Sequence, residues 1–289
     1  MKKALVWVLS IVLALAAMIY QRSTGPTYEY KGYVEHNGEK HKYELLRTHE
    51  TTGGASIEMP YIKDADMNAT LNYKRYQTSD SITTLNFELN SDNQFVAQLP
   101  VQPAAGKMEY YVTGSIGGKA FSIPEEGKDK IVLRYKDPVS DFILIPHVCM
   151  MIIVIIFGIR AGLSVLFDPN TMRKWTVVAF SAMTLGGMIL GPLVQKSAFG
   201  EYWTGFPYGG DFTDNKMLIM WLAWAIALAI IGFKPKKKEN ISRAAVLTAA
   251  IVMTVVYLIP HSMGGSTLDY EQVDKGIDPK EAIRTGAEE

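Results

Sequence analysis

Apolar residues collect in one run at the start of the chain, 4–20, and in four runs between 142 and 260, while the stretch 21–141 between them shows short apolar–polar alternation. The four later runs, 142–167, 175–195, 217–233 and 244–260, are each close to the roughly 20 residues that a membrane-crossing helix needs. The first run, ALVWVLSIVLALAAMIY after Lys2 and Lys3, covers about 25 Å at about 1.5 Å per residue, against a hydrocarbon layer of about 30 Å. It reads either as a retained signal anchor or as a signal peptide with Ala14-Leu15-Ala16 as the cleavage triplet. Tyr20, Gln21 and Arg22 make an ordinary interfacial exit and favour the anchor.

Between the runs, period-two alternation rich in Tyr, Val, Ile and Thr is punctuated by Asn-Gly, Gly-Gly and Pro-containing turns. This pattern predicts strands at 28–34, 41–46, 55–59, 69–76, 83–88, 94–99, 108–115, 119–123 and 131–135. The expected fold is a membrane protein in four parts: an N-terminal anchor (1–22), an all-β sandwich (26–137), a four-helix transmembrane bundle (142–260) with an outer loop (196–216), and a tail (261–289). Within that tail, Asp278-Pro279-Lys280-Glu281-Ala282-Ile283-Arg284 offers a capped start for a short helix, with disorder or folding on a partner as the alternatives.

Charge fixes an orientation. With the amino terminus inside, the segments expected in the cytoplasm hold Lys2, Lys3, Arg173, Lys174, Lys234, Lys236, Lys237, Lys238 and Arg243. The outer loop holds only Lys196 and Lys216, set against Glu201, Asp211 and Asp214. This is the positive-inside bias, and it puts the β-rich part and the tail outside the cytoplasm of a bacterial inner membrane. The formal net charge of zero is thus a sum over opposed compartments and gives no reason to expect nucleic acid; lipid is the expected partner of the helices. Arg160, the one charge well inside a helical run, is expected to snorkel to the inner headgroups, with a buried pairing to Asp168 as the alternative. Cys149, the single cysteine, reads as a small packing residue. His36, His41 and His49 lack the spacing of a compact metal motif and read as solvated strand and turn positions.

Candidate chemistry gathers at the outer face. Leu144-Ile145-Pro146-His147 recurs as Leu258-Ile259-Pro260-His261, with one proline expected to open a helix and the other to close one. His147 and His261 are the cofactor-binding candidates. With Glu201, Asp211 and Asp214 they would suit a divalent metal, and as an opposed imidazole pair they would suit haem b. The alternative is that each Pro-His is a helix-end device, and that the aromatic, glycine-rich loop is an interfacial plug with Thr213 or Asp214 capping the next helix. Walker loops, nucleotide glycine fingerprints, Gly-x-Ser-x-Gly elbows and His-Glu-x-x-His motifs are absent from the sequence, which argues against the commonest enzyme classes.

Phe95-Val96-Ala97-Gln98-Leu99-Pro100, Pro103-Ala104-Ala105-Gly106 and Glu109-Tyr110-Tyr111-Val112 resemble the late strands of fibronectin type III and immunoglobulin-like domains. Tyr202, Trp203, Gly205, Pro207, Thr213, Asp214, Asn215 and Lys216, with Ile259-Pro260-His261-Ser262, extend the likeness to the whole chain. As a whole it resembles a group of bacterial inner-membrane proteins with an anchor, a fibronectin-like periplasmic domain and a helical bundle. The resemblance implies architecture and points to the loop, without a mechanism. The leading expectation is a non-enzymatic scaffold or accessory subunit whose β-domain binds a protein partner. A metal- or haem-binding redox protein is the first alternative, and a membrane hydrolase using Glu201, Asp211 or Asp214 is the second.

Overall fold

The computed structural model describes residues 2–63, 65–92, 94–235, 239–261 and 264–284. The basic turn at 236–238, Ser262 of the terminal motif and the last residues of the tail lie outside that set. The described chain divides into a helical unit, 2–26 with 139–265, and a β-rich unit, 27–138 with 266–284.

The helical unit comprises α1 (Lys2–Ser23), α2 (Asp141–Phe167), a 3-10 turn (Pro169–Thr171), α3 (Met172–Met183), a π-helical stretch (Thr184–Leu190), α4 (Gly191–Phe199), α5 (Phe212–Ile231) and α6 (Asn240–Leu258). Five helices in it are long and apolar enough to cross a membrane: Lys3–Ser23, Asp141–Phe167, Pro169–Phe199, Phe212–Ile231 and Asn240–Leu258. Their core holds Val154, Ile155, Trp224, Val246 and Met253, with α1 contributing Ala14. Close approach depends on small residues, as expected where lipid removes the hydrophobic drive between helices. A Cβ added at Gly162 would lie 2.7 Å from the Ala250 Cβ, and one at Gly158 would overlap the Met253 thioether.

Of three local expectations, two change here. Helix α2 begins at Asp141, five residues before Pro146, so the proline lies inside the helix. Its missing N–H falls opposite the carbonyl of Phe142, close to an exposed helix start where an unpaired carbonyl costs little. Pro260 does end α6, with Ile259 already extended (φ −63°, ψ 123°) as the residue before a proline prefers. Cys149 is exposed on α2 instead of packed.

In the β-rich unit the strands are β1 (Tyr30–His36), β2 (Glu39–Leu45), β3 (Thr48–Glu50), β4 (Ala55–Met59), β5 (Met67–Arg75), β6 (Thr83–Asn86), β7 (Glu88–Leu89), β8 (Phe95–Leu99), β9 (Lys107–Ile116), β10 (Lys119–Ile123) and β11 (Ile131–Lys136). A six-stranded sheet runs β3-β11-β9-β5-β6 with β10 also on β9, a three-stranded sheet runs β4-β8-β7, and β1-β2 is a separate hairpin. Leu71, Met108, Tyr110, Val112, Leu133 and Tyr135 of the larger sheet and Ile57, Met59, Ala97 and Leu99 of the smaller form one sandwich-like core. Alternation along β9 buries Met108, Tyr110 and Val112, and the Tyr110 hydroxyl donates to the Leu46 carbonyl at 2.6 Å.

The run expected as one strand at 83–88 divides between the sheets: β6 pairs with β5, β7 pairs with β8, and buried Phe87 sits at the switch. Strand β3 is new, parallel to β11, and with three residues is too short to show a period. The tail also differs from expectation. It forms β12 (Thr267–Leu268), α7 (Tyr270–Asp274) and β13 (Ile283–Arg284). The Asp269 carboxylate caps α7 by accepting from the N–H groups of Glu271 and Gln272, and β13 pairs with β12 where a helix was expected.

Gly162→Val tests the tight α2–α6 crossing. Forcing a branched side chain against Ala250 should cost about 1–3 kcal/mol, read as earlier thermal unfolding of the purified protein. An unchanged transition would show that the crossing is looser than described.

Candidate functional site

The loop between α4 and α5 is held from within by residues of its own motif. Asp211 is the N-cap of α5, and its carboxylate accepts from the N–H groups of Thr213 (2.8 Å) and Asp214 (3.4 Å). The cap is therefore Asp211, not Thr213 or Asp214, because the helix begins at Phe212. Asp214 turns back into the loop: its Oδ2 accepts from the N–H groups of Thr204 (2.6 Å) and Gly205 (3.0 Å) and lies 3.3 Å from the Thr204 hydroxyl. Gln195 Nε2 donates to that hydroxyl at 2.6 Å. The Asn215 side-chain oxygen accepts from Phe206 N–H at 2.7 Å. Lys216, buried, donates to the carbonyls of Ile259 (3.1 Å) and Pro260 (2.7 Å). Its charge meets the negative end of the α6 dipole. Gly205 is required here, because a Cβ would lie 2.6 Å from that of Asp214. Around this frame Tyr202, Phe206, Tyr208 and Phe212 remain exposed.

The other candidates are placed as follows. His147 is half-buried on α2, with Nδ1 2.9 Å from the Gly186 carbonyl in the π-helical stretch; a carbonyl only accepts, so Nδ1 carries the proton and Nε2 is the basic nitrogen. His261 is exposed just beyond α6, and Glu201 is exposed at the start of the loop. Asp211 and Asp214 come together through the cap. Among the described residues no three His, Cys, Asp or Glu side chains are grouped so as to hold a metal ion. The physical reason is visible in the two aspartates, whose oxygens face main-chain donors.

Two further constellations stand apart from the loop, the first of them the alternative that the sequence offers for Arg160. Arg160 does not snorkel: it is 1% exposed, donates to the Ser164 hydroxyl, and pairs with Asp168 at 3.3 Å. Its guanidinium lies 5.3 Å from the ring centre of Trp7 and 5.6 Å from that of Trp175, so two aromatic faces stand where water would be. Thr171 also donates to the Asp168 carboxylate, at 3.1 Å. The structure thus favours the buried pairing with Asp168 over snorkelling, and adds the two tryptophans, which the sequence did not point to.

The second constellation fastens the tail within the β-rich unit. Arg75 gives Nε (2.6 Å) and Nη2 (3.0 Å) to Asp80, and Nη1 (2.7 Å) and Nη2 (2.8 Å) to Asp274 on α7. The Tyr270 ring lies 4.9 Å from this guanidinium, and its hydroxyl donates to the Lys107 carbonyl at 3.0 Å. Arg134 donates to the Ser266 carbonyl, and Leu268 N–H to that of Ala105. Hydrogen bonds from Arg75 hold both aspartate carboxyls below their usual range. Beside them a cleft of about 350 Å³ opens, lined in part by Tyr73, Arg75, Thr83, Pro100 and Met108.

Compared with known proteins, the chain matches no family model and no curated protein.

Two outcomes follow from these bonds. Asp214→Ala leaves two main-chain N–H groups without their acceptor, at about 1–3 kcal/mol each. Protease nicking within 200–211 should accelerate, and less so in Asp214→Asn, whose amide oxygen still accepts; equal rates in all three would contradict the account. For the tail segment 266–284, a strap held on the sandwich by Arg75, the folded-state values of Asp80 and Asp274 are depressed, so their stabilisation is complete above the unfolded aspartate range and is lost as pH falls through the folded values. Hydrogen exchange of 266–284 should be flat above about pH 5 once the intrinsic rate is corrected, and should rise below about pH 4. Loosening on the alkaline side alone would reverse the assignment.

Proposed function

We propose that the protein is a multi-pass protein of a bacterial inner membrane whose β-rich domain stands outside the cytoplasm and binds a protein partner, acting as a scaffold or accessory subunit and not as an enzyme. The observation that carries this reading is the use made of the loop motif. Asp211, Asp214, Asn215 and Lys216 are all engaged with main-chain atoms, so the most motif-like stretch of the chain builds a braced surface with its aromatics outward. Exposed Tyr and Phe at the ends of apolar helices suit the headgroup level.

Chain connectivity supports the sidedness. Residues 27–138 and 266–284 belong to one folded unit, and the chain between them contains four of the membrane-length helices. An even number of crossings returns the chain to the side it left, and the basic residues 173, 174, 234 and 243 then fall on the opposite face. The fibronectin-like character of the domain belongs to the same proposal. It is supported by the passage from β8 in the smaller sheet to β9 in the larger, with Tyr110 turned inward, and by the β9–β10 hairpin. Helix α1 is read as a retained anchor: Ser10 and Ala14 are fully buried in the helical unit, and Trp7 covers Arg160. Cleavage after Ala16 would remove both.

The test is site-specific photocrosslinking in cells, with the photoreactive residue placed at exposed Tyr33, Tyr61 or Leu89 of the β-rich unit. A discrete protein adduct is expected, and the intact mass of the recovered chain should include residues 4–20. Failure to form a protein adduct from any position would remove the binding-domain reading, and a mass lacking those residues would remove the anchor.

A further inference from the structure

We propose that the cleft on the β-rich unit is a docking groove for an extended acidic peptide of a partner protein, and that Asp274 of the chain's own strap holds the place of the peptide's carboxylate until displaced. This rests on the reading of the β-rich unit as a binding domain and names the site and ligand chemistry within it.

Three features converge on the groove. The first is an open strand edge. β6 pairs with β5 from Tyr73↔Thr83 to Thr70↔Asn86, and among the described residues no strand pairs with its other side. An outer strand offers a row of main-chain donors and acceptors that an extended segment can complete. The second is volume at the Thr83 end of β6. The cleft is lined by Tyr73, Arg75, Asp80, Thr83, Pro100 and Met108, and its roughly 350 Å³ lies within the range of about 300–1,000 Å³ that ligand sites occupy.

The third feature is a carboxylate receptor already in working geometry. The two aspartates on Arg75 are not equivalent. Asp80 lies five residues along the chain in the β5–β6 connection and holds the Nε edge of the guanidinium. Asp274 ends the five-residue helix α7, takes the outer fork of Nη1 and Nη2, and leaves 54% of its side chain exposed. Asp80 thus fixes the guanidinium plane, and the second fork meets any carboxylate that arrives in the same bidentate manner. The fork selects the ligand's chemistry. With Asp274 released, Nη1 and the outer side of Nη2 of Arg75 lose their acceptor while Asp80 still holds the other edge. A carboxylate of the peptide supplies that acceptor in the same two-point manner, and a neutral or basic side chain does not. The strap keeps its other ties when Asp274 is released, through the Tyr270 hydroxyl on Lys107, Arg134 on the Ser266 carbonyl and Leu268 N–H on Ala105, so displacement does not require it to unfold.

The experiment uses the full chain in lipid nanodiscs and a fluorescein-labelled, β-forming peptide with a central aspartate, alongside the same peptide carrying asparagine. Fluorescence anisotropy should show the aspartate probe binding Asp274→Asn about tenfold tighter than the unaltered protein, because a tethered competitor has been removed. The asparagine probe should show no such gain. Arg75→Lys should lose most of the gain when combined with Asp274→Asn, since a point charge does not reproduce the fork. A tighter complex cannot arise from misfolding, so the gain is the decisive readout. Equal binding of the two probes, unchanged affinity in Asp274→Asn, or no binding of the aspartate probe to that variant would each overturn the proposal. If the probe fails while cellular crosslinks to the β-rich unit persist, this groove is wrong and the binding-domain reading stands. If the crosslinks are absent as well, the domain reading falls with it.

Discussion

The constraint on which the helical unit depends is the burial of a guanidinium among apolar helices. A charge removed from water costs several kcal/mol unless it is paired and its hydrogen-bonding groups are met. Arg160 is paired by Asp168 and Ser164 and faced by Trp7 and Trp175, which together draw on α1, α2 and α3 and on the residue that ends α2. Through Trp7, α1 packs with the rest of the helical unit, as one of five helices among the described residues that are long and apolar enough to cross a membrane.

The loop between α4 and α5 obeys the same rule with the charges reversed. Loop main chain at the end of apolar helices exposes N–H groups that water cannot always reach, and Asp214 and Asn215 supply the acceptors. Lys216 does the converse for the last carbonyls of α6. A stretch that carries acids, an amide and a lysine in close sequence therefore reads as chemistry in one dimension and as bracing in three.

What was legible in the sequence follows from periodicity. Strands with clear alternation, such as β4, β9 and β10, were placed within a residue or so, and the apolar runs became the long helices. Features with no period of their own were not legible. Strand β3 has three residues, and Phe87 sends one apolar run into two sheets. The tail was misread because Asp269 and Asp278 both look like helix starts, and only pairing with β12 decides that 283–284 is a strand. For Arg160 the sequence offers both snorkelling and a pairing with Asp168; the choice between them depends on Trp7, distant in sequence. At the loop, residue types pointed to ligands, but the direction of each side chain was decided by the nearest unpaired main-chain donor.

The buried pair offers the most direct measurement of the central claim, that the helices enclose Arg160 and depend on its partners. A double-mutant cycle with Arg160→Met, Asp168→Leu and the combined variant, followed by unfolding in nanodiscs, isolates the coupling. Either single replacement should destabilise the protein by about 3–5 kcal/mol, and the combined one by clearly less, since it leaves no unpaired charge. Near-neutral single variants whose effects simply add would mean that Arg160 reaches water, and that neither the pairing nor the covering helix is needed.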